Sequence, residues 1–172
     1  VRRATFLDRD GVLVDDDLAI VDGAGDATSA LRAAGFVLVM VTNQPNVARG
    51  TAARAEVERM NASVQSALGL DDVRCCFHDE ADDCACRKPK PGMILDAARD
   101  LELDLDASWL VGDRWVDIGA GAAAGVQTVL VERDYSWDGT HSGAPEATLA
   151  PTARATSLTD AVSLILERDQ SS

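Results

Sequence analysis

Asp8-Arg9-Asp10-Gly11 places two carboxylates two positions apart, directly after the short apolar run Phe6-Leu7. One such carboxylate can attack phosphorus while the other handles the proton of the leaving group. Gly11 allows a tight turn there. Three further segments carry groups of matching use. Thr42-Asn43-Gln44 offers a hydroxyl, an amide and backbone N–H groups that can cradle a phosphoryl group. Arg87-Lys88-Pro89-Lys90-Pro91 brings cations near that place. Gly112-Asp113-Arg114-Trp115-Val116-Asp117 offers a carboxylate for Mg²⁺, which prefers oxygen ligands together with substrate phosphate. Each segment alone has an ordinary explanation: a solvated turn, a polar strand cap, a proline-stiffened turn, an Asp at a helix start.

The elements that must position these groups follow from the hydrophobic pattern. A first strand ends at Asp8, and a helix over about 27–34 stops at Gly35. Phe36 to Val41 is a continuous apolar run, as expected of a strand buried on both faces. Thr51 is the expected N-cap of a helix to Leu68, where Val57, Met60, Val64 and Leu68 recur at helical spacing. Val73–Phe77 is a third strand, and Pro91 opens a helix with Met93, Ile94, Ala97 and Leu101 on its apolar face. Trp109-Leu110-Val111 is a fourth strand, residues 115–124 a small-residue helix ending at Gly125, and Val126–Val131 a fifth strand. A loop over 132–150 and a helix marked by Leu158, Ala161, Val162 and Ile165 complete the chain. Strands alternating with helices imply a three-layer α/β/α, Rossmann-like parallel sheet, with ligands bound beyond the carboxyl ends of the strands. All four segments fall at that edge. The expected organisation is a single domain over 1–172.

Composition narrows the partners. A net charge of −13 argues against nucleic acid, whose phosphates need clustered Lys and Arg. It also requires that a site for an anionic substrate carry its own positive charge. No apolar run is long enough to cross a membrane, and residues 1–6 show no signal-peptide pattern. No membrane partner is expected. The cysteines Cys75, Cys76, Cys84 and Cys86 lie close together rather than spread as a disulfide framework. That clustering favours metal binding in a reducing compartment, and hence a cytoplasmic location.

The four segments in this order resemble the motifs of the haloacid dehalogenase (HAD) superfamily. The first motif is Phe6-Leu7-Asp8-Arg9-Asp10-Gly11-Val12-Leu13; the second ends in Thr42, the third is Lys88, and the fourth is Gly112-Asp113 through Asp117. The resemblance covers about residues 4–131 and implies a Mg²⁺-dependent phosphatase. By position, Asp8 is implied as the nucleophile that becomes an aspartyl phosphate, and Asp10 as general acid and base. Thr42 and Lys88 are implied to bind the transferred phosphoryl. Mg²⁺ is implied between Asp8, the backbone carbonyl of Asp10, and Asp113, with Asp117 either touching the metal or orienting the site. The intervals between motifs are filled by predicted elements, which leaves no room for a cap domain.

Cys76-Phe77-His78 and Cys84-Ala85-Cys86 add a second metal signal. In an extended strand residues i and i+2 share a face, so Cys76 and His78 can point at one ion and Cys75 away from it. Cys84 and Cys86 would close a tetrahedral Cys₃His site of the structural zinc type. The zinc loop spans about 75–88; the alternative is buried cysteines beside a surface loop. Cys75 itself is expected as a small core hydrophobe. The zinc loop, running into Arg87-Lys88-Pro89-Lys90-Pro91-Gly92-Met93, together with Thr42-Asn43-Gln44 and Ala48-Arg49-Gly50, resembles the D-glycero-D-manno-heptose 1,7-bisphosphate phosphatases. The related histidinol-phosphate phosphatases share the zinc loop. Pro45-Asn46-Val47 departs from the family's usual Ser-Gly-Ile at the entrance.

The expected reaction on this resemblance is conversion of heptose 1,7-bisphosphate to heptose 1-phosphate in nucleotide-activated heptose biosynthesis. Asn43, Arg49 and Arg87 would contact substrate, either arginine gripping a second anionic group, and the chain would be a monomer or weak dimer. Two other functions compete: a histidinol-phosphate phosphatase, and a non-catalytic zinc-stabilised binding domain. The intact Asp8, Asp10, Thr42, Lys88 and Asp113 argue against the last. His141 is expected as an exposed loop histidine and Trp115 as a packing residue. Tyr135-Ser136-Trp137-Asp138 could fold over the site or an interface.

Overall fold

A computed structural model describes residues 1–171. Strand β1 (Ala4–Leu7) is followed by α1 (Ala24–Ala33), β2 (Val37–Asn43), α2 (Arg54–Leu68) and β3 (Asp72–Cys76). After a 3-10 turn at Glu80–Asp82 come α3 (Gly92–Leu101), β4 (Trp109–Gly112), α4 (Trp115–Ala124), β5 (Gln127–Val131), β6 (Ala153–Ala155) and α5 (Leu158–Asp169). The strands form one six-stranded sheet in the order β3-β2-β1-β4-β5-β6, every pairing parallel. Parallel strands need both faces covered, and the side chains divide accordingly. Leu7, Leu38, Met40 and Val111 pack against α1, α2 and α5 in one core. Phe6, Val39, Val41 and Leu110 pack against α3 and α4 in the other. Alternate residues of β1, β2 and β4 serve opposite cores, which gives the expected three layers. Among the described residues, only α1 with its loops lies between Asp8 and β2, and only α2, β3 and the 3-10 turn lie between β2 and Lys88. No cap is built there.

The chain leaves β1 toward β2 on one side and returns to β4 on the other. The crevice at that reversal lies between the carboxyl ends of β1 and β4, the usual ligand position in open α/β sheets. Asp8 follows β1 and Asp113 follows β4 at this point.

Several boundaries differ from the sequence reading. Helix α1 begins at Ala24 rather than near 27. Thr51 does not cap α2: Ala53 holds that position, without a side-chain cap. Thr51 instead donates from both its N–H and its hydroxyl to the Asn46 carbonyl, closing the 45–51 loop upon itself. Strand β2 continues through Thr42 and Asn43, which pair with Cys75 and Cys76 of β3. Strand β3 stops at Cys76, so His78 reaches its neighbours from a loop and not from a shared strand face. Cys75 sits half-buried on the edge strand, outside both cores, because β3 has no neighbour beyond it. The sixth strand, β6, is only three residues long and shows no periodicity; its pairing with β5 creates it.

Candidate active site

Lys88 is the hub of the site. It is 3% exposed, and its Nζ donates to Asp8 Oδ1 (2.8 Å), Asp117 Oδ1 (2.6 Å) and the Val41 carbonyl (2.9 Å). All three ammonium protons are thereby engaged. Burial alone would lower its pKa, but Asp117 and Asp8 outweigh that and raise it, so the ammonium is held charged. Its backbone is fixed by Asn43, whose amide accepts from Lys88 N (3.0 Å) and donates to Lys88 O (3.1 Å). Asn43 lies opposite the Cys76 end of β3, so sheet register, the cysteine loop and Lys88 are tied together.

Asp8 is buried, and its pKa is raised well above the ordinary carboxylate value, first by desolvation and then by Asp117, against the pull of Lys88. Asp113 is raised too, by burial and by Asp117, against the hydrogen bond from Tyr135. Asp117 uses its other oxygen to accept from Asp113 N (3.2 Å) and Arg114 N (3.0 Å), orienting the first turn of α4. Gly112 makes this possible, since a Cβ there would lie 2.1 Å from Asp117 Cβ. Gly11, at φ +81°, leaves room for Asp113 in the same way.

Asp10 is half exposed and receives three donors. Arg9 Nε donates to Oδ1 (3.1 Å) and Arg9 Nη2 to Oδ2 (3.3 Å), while Gln44 Nε2 donates to Oδ2 (2.8 Å). Gln44 Nε2 also donates to the Thr42 hydroxyl at 2.9 Å, linking the end of β2 to the second carboxylate. Arg9 is anchored in turn on Asn61 Oδ1 (3.0 Å).

A cavity of about 340 Å³ opens over these groups. Asp8, Asp10, Lys88 and Asp113 form its floor, and Arg49 and Arg87 line it. Arg49 is bound by Asp79 (2.7 and 2.8 Å) and Glu80 (3.3 Å). Arg87 touches Glu80 at 3.4 Å, while its buried Nε and Nη1 have no hydrogen-bond partner among the described residues. A buried guanidinium with two unpartnered nitrogens has hydrogen-bonding capacity to spare.

Two groups of side chains have the chemistry of metal sites. Asp8, Asp113 and Asp117 are all buried and offer oxygens within 4.8 Å of one another. Three carboxylates face one ammonium, a charge excess that fits a divalent cation with oxygen ligands. Cys76, His78, Cys84 and Cys86 likewise converge within 4.8 Å. Cys76 Sγ lies 3.1 Å from Cys86 Sγ, 3.7 Å from Cys84 Sγ and 3.6 Å from His78 Nδ1. Ligands of a tetrahedral zinc–thiolate site sit about 3.5–3.8 Å apart. The donor set fits that ion and Cys84 and His78 stand at that spacing from Cys76, while Cys86 lies closer, 3.2 Å from His78 Nδ1 as well.

The predicted residues Asp8, Asp10, Thr42, Asn43, Lys88 and Asp113 thus meet at one edge, with Arg49 and Arg87 on the wall. Gln44, Arg9 and Tyr135 carry contacts that no sequence motif revealed. Tyr135 donates to Asp113 Oδ2 at 2.6 Å from 22 positions away, a separation without local pattern. Its phenol is pushed up to about 12 by burial and by Asp113, so it remains a donor. Trp115 packs as expected, and His141 is exposed, 3.6 Å from Glu80.

Comparison with known proteins gives the family. The HAD-hydrolase-like family matches residues 85–161. D-glycero-beta-D-manno-heptose-1,7-bisphosphate 7-phosphatase of Pasteurella multocida is 37% identical over 152 residues, covering 77% of this chain and 83% of that protein. The chain belongs to this family of HAD-like phosphatases. The Escherichia coli K12 member is 38% identical over 150 residues, covering 76% of this chain and 78% of its own length. A crystal structure of the D,D-heptose 1,7-bisphosphate phosphatase of B. bronchiseptica, complexed with magnesium and phosphate, superposes with a TM-score of 0.78 at 31% identity. It covers 96% of this chain and 99% of that one. As a HAD-like phosphatase, the chain is a phosphoric monoester hydrolase.

Proposed function

We propose that the substrate is a heptose 1,7-bisphosphate and that the 7-phosphate is removed through an aspartyl phosphate on Asp8. The observation that carries this reading is the pairing of two places for phosphate in one cavity: Asp8 beside Lys88 on the floor, where a divalent cation would offset the excess carboxylate charge, and Arg87, whose guanidinium keeps unpartnered nitrogens, on the wall. One suits the reacting phosphoryl group, the other a second phosphate on the same sugar. The named substrate of the relatives has both.

In the first step an Asp8 oxygen attacks phosphorus and the P–O bond to the sugar breaks. Asp10 gives its proton to the departing sugar oxygen. In the second step Asp10 takes a proton from water, the water oxygen attacks phosphorus, and the bond to Asp8 breaks to release inorganic phosphate. Thr42 would hold a phosphoryl oxygen, and Lys88 would do so by releasing one of the three acceptors it now holds, while Gln44 and Arg9 aim Asp10. Mg²⁺, held by Asp8, the Asp10 carbonyl and Asp113, would neutralise charge between the anionic nucleophile and the anionic phosphoryl group. Zinc on Cys76, His78, Cys84 and Cys86 would be structural, since four protein ligands leave no open position. Those ligands require reduced thiols, in keeping with a cytoplasmic setting.

Phosphate release with Mg²⁺ should be fastest with heptose 1,7-bisphosphate when compared with fructose 1,6-bisphosphate and histidinol phosphate. A preference for histidinol phosphate would overturn the substrate assignment. Asp8→Asn should abolish turnover while leaving the fold intact by circular dichroism; activity in the pure variant would overturn the nucleophile.

A further inference from the structure

The loop after β5 closes on the acidic end of the site. Tyr135 donates to Asp113 Oδ2 at 2.6 Å, and the Arg114 guanidinium lies 4.5 Å over the Tyr135 ring. Ser136 is buried; its Oγ donates to the Asp113 carbonyl at 2.6 Å and accepts from Arg133 N at 2.8 Å. Trp115 N donates to Ser136 O at 2.8 Å, and Trp115 Nε1 to Asp138 O at 3.0 Å. Residues 133–138 are therefore fastened to both the backbone and the side chain of the β4–α4 turn. Gly11 faces the contact: a Cβ there would lie 2.1 Å from Asp113 Oδ2 and 3.1 Å from the Tyr135 hydroxyl. Three chain segments thus leave one space for the Tyr135–Asp113 pair.

We propose that Tyr135 is a positioning residue for the divalent cation, its hydroxyl holding the Asp113 carboxylate in the orientation that presents the other oxygen, Oδ1, to the metal. A buried carboxylate beside Asp8 and Asp117 is repelled by both. Without a donor it would turn away or sample several rotamers. A ligand already held in place binds more tightly, because its ordering cost has been met by the fold. This inference rests on the proposed cation site.

The test is a calorimetric Mg²⁺ titration of the full chain dialysed free of Mg²⁺. Asp113→Asn, Tyr135→Phe and Trp137→Phe are compared with the unaltered protein. Tyr135→Phe removes one oxygen and should weaken Mg²⁺ binding about tenfold. Its rate on an aryl phosphate should fall at low Mg²⁺ and recover as Mg²⁺ is raised. Trp137→Phe alters the same loop away from Asp113 and should leave Mg²⁺ affinity unchanged. Unchanged or tighter binding in Tyr135→Phe overturns the proposal, and so does equal weakening in Trp137→Phe. If Tyr135→Phe is unfolded under these conditions, the titration is repeated at a lower temperature where circular dichroism shows it folded, and carries the same expectation. Should Mg²⁺ bind neither the unaltered chain nor Asp113→Asn, the cation site itself fails and the role of Tyr135 falls with it. Binding that Asp113→Asn loses but Tyr135→Phe keeps refutes Tyr135 alone.

Discussion

At the residue scale the site is a cluster of like charges held in place by a few donors. Lys88 bridges Asp8 and Asp117, while the Asp113 carboxylate accepts from Tyr135 and its backbone is held by Ser136 Oγ and Asp117. Burial and Asp117 both disfavour the charged form of Asp113. Replacing it by Asn removes that repulsion and keeps an oxygen to accept from Tyr135. Asp113→Asn should therefore raise the melting temperature of the Mg²⁺-free protein by about 2–4 °C, for a gain of about 1 kcal/mol, and remove the further rise that Mg²⁺ gives. Differential scanning calorimetry with and without Mg²⁺ measures both. A lower melting temperature in the Mg²⁺-free state would show that Asp113 stabilises the fold. Arg87 allows a second expectation. With Nε and Nη1 buried and idle, Arg87→Ala should raise KM for a sugar bisphosphate about tenfold or more, and change KM for a simple aryl phosphate little. An equal effect on both would remove Arg87 from the second phosphate.

At the element scale the cysteine loop delivers the cations. Cys86 is followed directly by Arg87 and Lys88. The loop is closed by Gly92 N to Ala85 O (3.0 Å) and by Arg87 N to Cys84 Sγ (3.4 Å). Gly92 is required there, since a Cβ would lie 2.3 Å from the Ala85 carbonyl oxygen. If zinc holds this loop, Lys88 depends on it. Protein purified without added metal should contain about one zinc per chain. Stripping it with a strong chelator should lower the melting temperature and reduce activity even at saturating Mg²⁺. A chelated protein of unchanged stability and rate would separate the cysteine cluster from both fold and function.

At the scale of the whole molecule, a chain of net charge −13 must accept an anionic substrate. Lys88, Arg87 and Arg49 supply local positive charge, but the long-range field repels the approaching anion. Salt screens that field with a length of about 10 Å at 0.1 M. Raising ionic strength from about 10 to about 150 mM at fixed Mg²⁺ should therefore raise kcat/KM for the bisphosphate about twofold. A steady fall would mean that the local cations govern encounter.

The two carboxylates of Asp8-Arg9-Asp10, the apolar runs before them, and the order of Thr42, Lys88 and Asp113 are local patterns. Burial on both faces of a parallel sheet enforces such runs, so the sequence by itself determined the layers, the edge that carries the site, and the reaction class. The end of helix α4 was legible because Gly125 stops it in the left-handed region. Other features depend on contacts between distant segments. Strand β6 exists through its pairing with β5. Cys75 is left off the core by the edge position of β3, and Thr51 is drawn from its helix by Asn46. Only the tertiary structure decided that Asp117 belongs to Lys88 as well as to α4, that Gln44 joins Thr42 to Asp10, and that Tyr135 meets Asp113. Periodicity records which face of an element is buried, whereas a hydrogen bond across many positions is fixed by how the folded elements sit together.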